Sequence, residues 1–152
     1  MAALQQRIAD EMKAALLGGD RFRGDLLRGL KAALLNEEVA KQKRDEGLSD
    51  AEVEAVLTRE AKKRAESATL YEQNGREDLA EPERREREII QEFLPEQMSE
   101  ADVQTVVDAK IAELGASDMS AMGQVIGAVK QQVGSAADGA LVAKLVKETL
   151  QK

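Results

Sequence analysis

Only two residues in the whole chain, Pro82 and Pro95, lack the backbone N–H that a helix interior requires. Between them and around them, Ala, Leu, Glu, Lys and Arg dominate, and these are the strongest helix formers. Apolar positions recur with a helical period. Leu4, Ile8, Met12 and Ala15 share one face, as do Phe22, Leu26, Leu30, Ala33 and Leu34. Strict alternation, the mark of a strand, occurs nowhere. The fold class is therefore all-α.

Local signals divide the chain into helices. Gly18-Gly19-Asp20 closes the first, with glycine suited to a left-handed cap and Asp20 to an N-cap. The second is expected to run from Arg21 to about Arg44, where Asp45-Glu46-Gly47 breaks it. Ser49 followed by Glu52 is a reciprocal capping box. It opens a helix expected to reach Asn74, with the stripe Val53, Val56, Leu57, Ala61, Ala65, Ala68 and Tyr71. A fourth helix, starting near 76–78 and ending at Leu94, can hold Pro82 only in or near its first turn. Leu79, Ile90, Phe93 and Leu94 are its expected apolar contacts. After Pro95 the composition changes, because all eleven arginines precede it. A cap at Ser99 opens a helix carrying Val103, Val106, Val107, Ile111 and Leu114. A stripe of Met119, Met122, Val125, Ile126, Val129 and Val133 follows, and Asp138 caps a last helix. Residues 1–95 thus read as an elongated bundle of long helices, and residues 96–152 as a small three-helix module.

Composition excludes several kinds of chemistry. With no His and no Cys, the chain can form no zinc finger, no Cys-His nucleophile, no Ser-His-Asp triad and no disulfide. No run approaches the roughly 20 apolar residues that span a bilayer, and the polar N-terminus does not read as a signal peptide. A soluble cytoplasmic protein with no membrane association, no metal and no cofactor is expected. The 22 basic and 29 acidic residues leave a net charge of −7, so a nucleic-acid role needs a local basic patch or a basic partner.

Several groups stand out as candidates. Glu60 and Arg64, at i and i+4, fall inside the apolar stripe of their helix, and Glu37 occupies a similar place on the second helix. They form either a ligand-holding carboxylate–guanidinium site or an interhelical ion pair that fixes register. Arg59, Lys62 and Lys63 make one basic cluster, and Arg84, Arg85 and Arg87 another; both are interleaved with glutamates, as on a solvated face. Gly123 and Gly127 share a helical face at a cost of about 0.8–1.0 kcal/mol each relative to Ala. Close crossing of a neighbouring helix is the expected reason, and close approach of a partner is the alternative. Asp138 and Gly139 open the last helix, whose first amides could hold an anion, with Lys130, Lys144 and Lys147 nearby. No spacing of nucleophile and base makes a catalytic site recognisable.

These segments, in order, resemble the YqeY family. The matching residues are Asp25-Leu26-Leu27-Arg28-x-Leu30 with Asn36-Glu37-Glu38, then Val56-Leu57-x-Arg59-Glu60-x-Lys62-Lys63-Arg64-x-Glu66-Ser67 and Gly75-Arg76-Glu77-Asp78-Leu79. Phe93-Leu94-Pro95-Glu96-Gln97-Met98-Ser99 follows, and then Met122-Gly123-x-Val125-Ile126-Gly127 with Ala137-Asp138-Gly139. The resemblance implies that the second module is similar to the tail domain of GatB. That protein is the tRNA-binding subunit of the glutamine-dependent amidotransferase that makes Gln-tRNA(Gln). Family labels accordingly mention carbon–nitrogen ligase activity with glutamine as amido-N-donor, although the tail contacts tRNA and performs no chemistry. The resemblance thus implies a noncatalytic adaptor that touches tRNA and docks a protein. With five lysines against eight acids after Pro95, tRNA contact by the chain alone is expected to be weak. The alternative is a protein-interaction module with no RNA role.

Overall fold

A computed structural model describes all residues, Met1 to Lys152. It contains seven α-helices and no strand, in two compact units, Met1–Leu94 and Pro95–Lys152.

The first unit holds α1 (Ala3–Leu17), α2 (Arg21–Ala40), α3 (Asp50–Gln73) and α4 (Glu77–Gln91). Two antiparallel hairpins, α1 with α2 and α3 with α4, build it. Asp20 caps α2 by accepting from the Arg23 amide at 3.1 Å. The Ser49 hydroxyl accepts from the Glu52 amide at 3.2 Å while Glu52 accepts from the Ser49 amide at 2.8 Å. The core is mostly leucine: Leu26, Leu27, Leu30, Leu34, Leu48 and Leu57, with Ile8, Val53, Val56, Ile90 and Phe93. At 25–30 cal/mol per Å² of apolar surface removed from water, each such side chain contributes about 1.5–3 kcal/mol.

Four expectations are corrected in this unit. The second helix ends at Ala40, not Arg44, and Gln42 adopts a left-handed φ of 57°. Pro82 is the sixth residue of α4, beyond the first turn, and removes the donor that would meet the Asp78 carbonyl. Its side is exposed, so water can serve that carbonyl. Leu79 is exposed while its neighbour Ala80 is fully buried, a shift of one residue in the buried face. Ala65 and Tyr71 stand only half-buried at the margin of the α3 stripe.

The second unit packs α5 (Glu100–Leu114), α6 (Met122–Val133) and α7 (Gly139–Leu150), with short 3-10 turns at Met119–Ala121 and Gly134–Ala136. Its core is mostly valine: Val103, Val107, Val125, Val129, Val133, Val142 and Val146, with Leu145 and Leu150. Ser99 caps α5 through the Asp102 amide, and Gly115 closes it in the left-handed region at φ 64°. Met119 and Leu114 lie largely at the surface. The entering segment is tied down where the Met98 amide donates to the Ala136 carbonyl and the Gln97 side chain to the Ser135 carbonyl.

Candidate functional site

In the first unit the charged candidates resolve into two ion-pair networks. Arg64 bonds Glu60 on its own helix and Glu86 of α4 at 3.1 Å, with the side chains of Arg64 and Glu60 only 19% and 16% exposed. Burial works against the Glu60 carboxylate, but hydrogen bonds from Arg64 and Lys63 prevail and hold it below the ordinary carboxylate range. Burial likewise works against the Arg64 cation, and Glu60 with Glu86 keeps it firmly charged. Glu83, nearby on α4, is pushed the other way by burial and by Glu86. Glu37 does not join this group. It accepts from Arg59 at 2.9 Å and pairs with Lys41 at 3.6 Å, bridging α2 to α3. Sequence spacing placed Glu37 on the correct face but could not show which cation of the neighbouring helix it would meet.

The basic cluster is thereby partly neutralised. Arg59 is paired with Glu37 and Lys63 with Glu60, leaving Lys62 without an ion-pair partner. In the other cluster, Arg84 is held by Glu72 and Glu77, while Arg85 lies 4.1 Å over the Phe22 ring. Three features carried no readable sequence signal. Phe93 is covered by the guanidiniums of Arg7 and Arg23, 4.5 and 5.9 Å from its centroid. Gly24 lies where a Cβ would come within 2.4 Å of Leu16 Cδ2. A shallow groove runs along the outer face of α3.

In the second unit the expectation for the glycines is overturned. Gly123 and Gly127 are exposed, and a Cβ on either would meet nothing within 4 Å, so no helix crosses there. Lys130, one turn further along the same face of α6, folds its side chain across Gly139. A Cβ at Gly139 would lie 3.3 Å from both Lys130 Cε and Nζ. Asp138 caps α7 by accepting from the Ala140 amide at 3.2 Å. Lys144 and Lys147 are exposed along α7, and the one ion pair of this unit is Lys110 with Glu113. The structure therefore brings Lys130 of α6 against Gly139 at the start of α7, next to the Asp138 cap, while Gly123 and Gly127 share the face of Lys130 on α6 and touch neither Gly139 nor Asp138. It records no contact from Lys144 or Lys147 to that group.

The family model for Yqey-like proteins matches residues 5–150, across both units. The chain belongs to the YqeY family. A curated relative, "Altered inheritance of mitochondria protein 41, mitochondrial" of Lachancea thermotolerans, is 30% identical over 112 residues. The match covers 72% of this YqeY-family chain and 59% of that relative, so the chain spans less than two thirds of the relative's length. No helix of the protein is long and apolar enough to cross a membrane, and no group of three acidic side chains converges as a metal site would require.

Proposed function

We propose that this YqeY-family protein is a noncatalytic adaptor whose second unit, similar to the GatB tail, contacts tRNA, while its first unit docks a protein. The observation that carries the reading is the open glycine face of α6. Two glycines inside a helix forfeit about 0.8–1.0 kcal/mol each, and here no packing inside the fold offsets that loss. The gain then lies outside the fold, in close approach of another backbone. Structured RNA is recognised largely through shape, sugar and phosphate, and Lys130, Lys144 and Lys147 supply cations without bound carboxylates. The noncatalytic part rests on composition and on the pairing of the perturbed charges. Arg64 and Glu60 are engaged with each other and with Glu86, an arrangement that fixes helix register. A cytoplasmic location belongs to the same proposal.

Fluorescence titration of the full chain with bulk tRNA tests the reading. Binding is expected at low salt, with a log–log salt slope of about −2 to −3 for three lysine contacts. Gly127→Leu is expected to weaken it at least tenfold without loss of helicity. Undetectable binding at low salt overturns the RNA part. A protein-interaction module without RNA is favoured by a separate observation: Leu35 and Val39, one turn apart on α2, remain 47% and 52% exposed.

A further inference from the structure

We infer that the outer face of α2 is a self-association surface on which α2 of a second copy of this chain packs antiparallel about a two-fold axis. Arg28, Ala32, Leu35 and Val39 recur at steps of four, three and four, and at ~3.6 residues per turn they fall within about 60° of one another. All four are exposed, Leu35 and Val39 at 47% and 52%. The opposite side of the helix faces the core with Leu26, Leu30 and Leu34, and α1 touches α2 along the flank of Gly24 and Glu38. The stripe itself is left uncovered. Gly29, on its other flank, is exposed too, and a Cβ there would meet nothing within 4 Å. A glycine in mid-helix forfeits helix propensity, and no packing within the chain uses the space it leaves.

Charge complementarity names the occupant and its register. Lys31 and Glu38 are one heptad apart, so they stand almost in line on one flank of the stripe. Lys31 is exposed and forms no ion pair within the chain, and Glu38 bonds the neutral Gln5 amide at 2.7 Å without pairing with a cation. Antiparallel packing sets Leu35 over Ala32 of the second copy and Val39 over the aliphatic stem of its Arg28. The two-fold axis makes each contact reciprocal. In this register Lys31 lies opposite Glu38 of the second copy, because matching flanks face each other in an antiparallel pair. Sliding one copy by a heptad sets Lys31 against Lys31 in one direction and Glu38 against Glu38 in the other. Parallel packing stacks Arg28 on Arg28. A single arrangement thus satisfies both shape and charge. One helix face buries less than the standard ~1,600 Å² interface, so the association is weak and concentration-dependent. It deepens the docking reading of the first unit and does not rest on tRNA contact.

Sedimentation equilibrium of the full chain over a wide concentration range tests this. The mass should rise from 16.5 kDa toward twice that value. Leu35→Glu should weaken the association at least ~10-fold, since it removes the central apolar contact twice. Lys31→Glu alone and Glu38→Lys alone each set like charges opposite one another and should weaken it about 10-fold. An equal mixture of those two chains restores both opposite-charge pairs and should associate within about threefold of the parent. Leu35→Glu and Lys31→Glu change exposed positions outside the core, so they carry the test even where Glu38→Lys, by losing the Gln5 bond, lowers helicity. A monomer at every concentration overturns the inference while leaving the docking of a different protein in place. Association unaffected by Leu35→Glu or by Lys31→Glu also overturns it, and so does a folded mixture that associates no better than its components.

Discussion

Where α2 crosses α1 in the first unit, Gly24 leaves room for Leu16, and a Cβ would intrude to 2.4 Å of its terminal carbon. In the second unit, Gly123 and Gly127 leave room for nothing within the chain. The same residue type therefore satisfies a demand of folding in one place and not in the other. Charge divides in the same way. The first unit commits its arginines to carboxylates across helix pairs, as in Arg23 with Glu11 and Glu92, Arg59 with Glu37, and Arg64 with Glu60 and Glu86. The second unit leaves Lys130, Lys144 and Lys147 free of carboxylates. One unit uses its polar groups to set the register of long helices, and the other holds them outward over a compact valine core.

The strongest test of that division is removal of one cation from each unit. Arg64→Ala leaves the Glu86 carboxylate without a cation and Glu60 with only the exposed Lys63, both carboxylates being largely withdrawn from water. Fully buried pairs cost 3–5 kcal/mol when halved, and partial exposure lowers this to about 2 kcal/mol. Arg64→Lys should recover less than half, because an ammonium cannot present the planar fork that reaches both partners. Lys130→Ala, by contrast, should stay within about 0.5 kcal/mol, as for ordinary surface positions. Urea unfolding of the three variants measures the difference, and equal losses for Arg64→Ala and Lys130→Ala would break the comparison.

The glycines give effects of opposite sign. Gly24→Ala gains helix propensity but forces Leu16 aside, and overpacking of 1–3 kcal/mol outweighs the gain to leave a net loss of about 1 kcal/mol. Gly123→Ala and Gly127→Ala meet open space and should each stabilise the second unit by about 0.8 kcal/mol. Hydrogen exchange at the α2 and α6 amides resolves the two signs in one molecule. If the α6 variants also destabilise, the face is not open and the proposed function loses the observation that carries it.

Sequence signals that are local in origin could be read directly. The reciprocal cap at Ser49 and Glu52, the Asp20 cap and the Ser99 cap each depend on residues within one turn, and helical periodicity identified Leu26, Leu30, Val53, Leu57, Val103 and Val129 as core. What could not be read depends on which helix lies opposite. Glu37 lies on the expected face but meets Arg59 rather than Arg64. Ala65 continues the α3 stripe yet lines an open groove because its neighbours across the hairpin cover only part of the face. Gly24 gave no signal because its reason is Leu16 of another helix, while the i, i+4 pair Gly123 and Gly127 looked like a crossing that does not exist. The end of α2 at Ala40 was missed because Gln42, a residue with no special turn chemistry, takes the left-handed position.

Acid titration provides the smallest effect and separates the units by mechanism. The Lys43 ammonium and the Ser49 amide lower the Glu52 carboxyl to about 2, with a further contribution from Lys41. A carboxylate held down in the folded state adds stability that is full above its ordinary value near 4.5 and is lost as pH falls toward about 2. Glu52→Gln should therefore unfold at lower urea than the parent above that window, and the two should converge within it. In the second unit Asp118 is also held low, first by the Ser120 hydroxyl and then by the Ser120 amide, with no cation involved. Exposed ion pairs are screened by salt, whereas hydrogen bonds to neutral donors are much less so. Raising the ionic strength should shrink the gap between parent and Glu52→Gln and leave the gap for Asp118→Asn nearly unchanged. If both gaps shrink equally, cations also support the Asp118 turn, and the contrast between a charge-registered unit and a valine-packed one is weaker than the side-chain partners indicate.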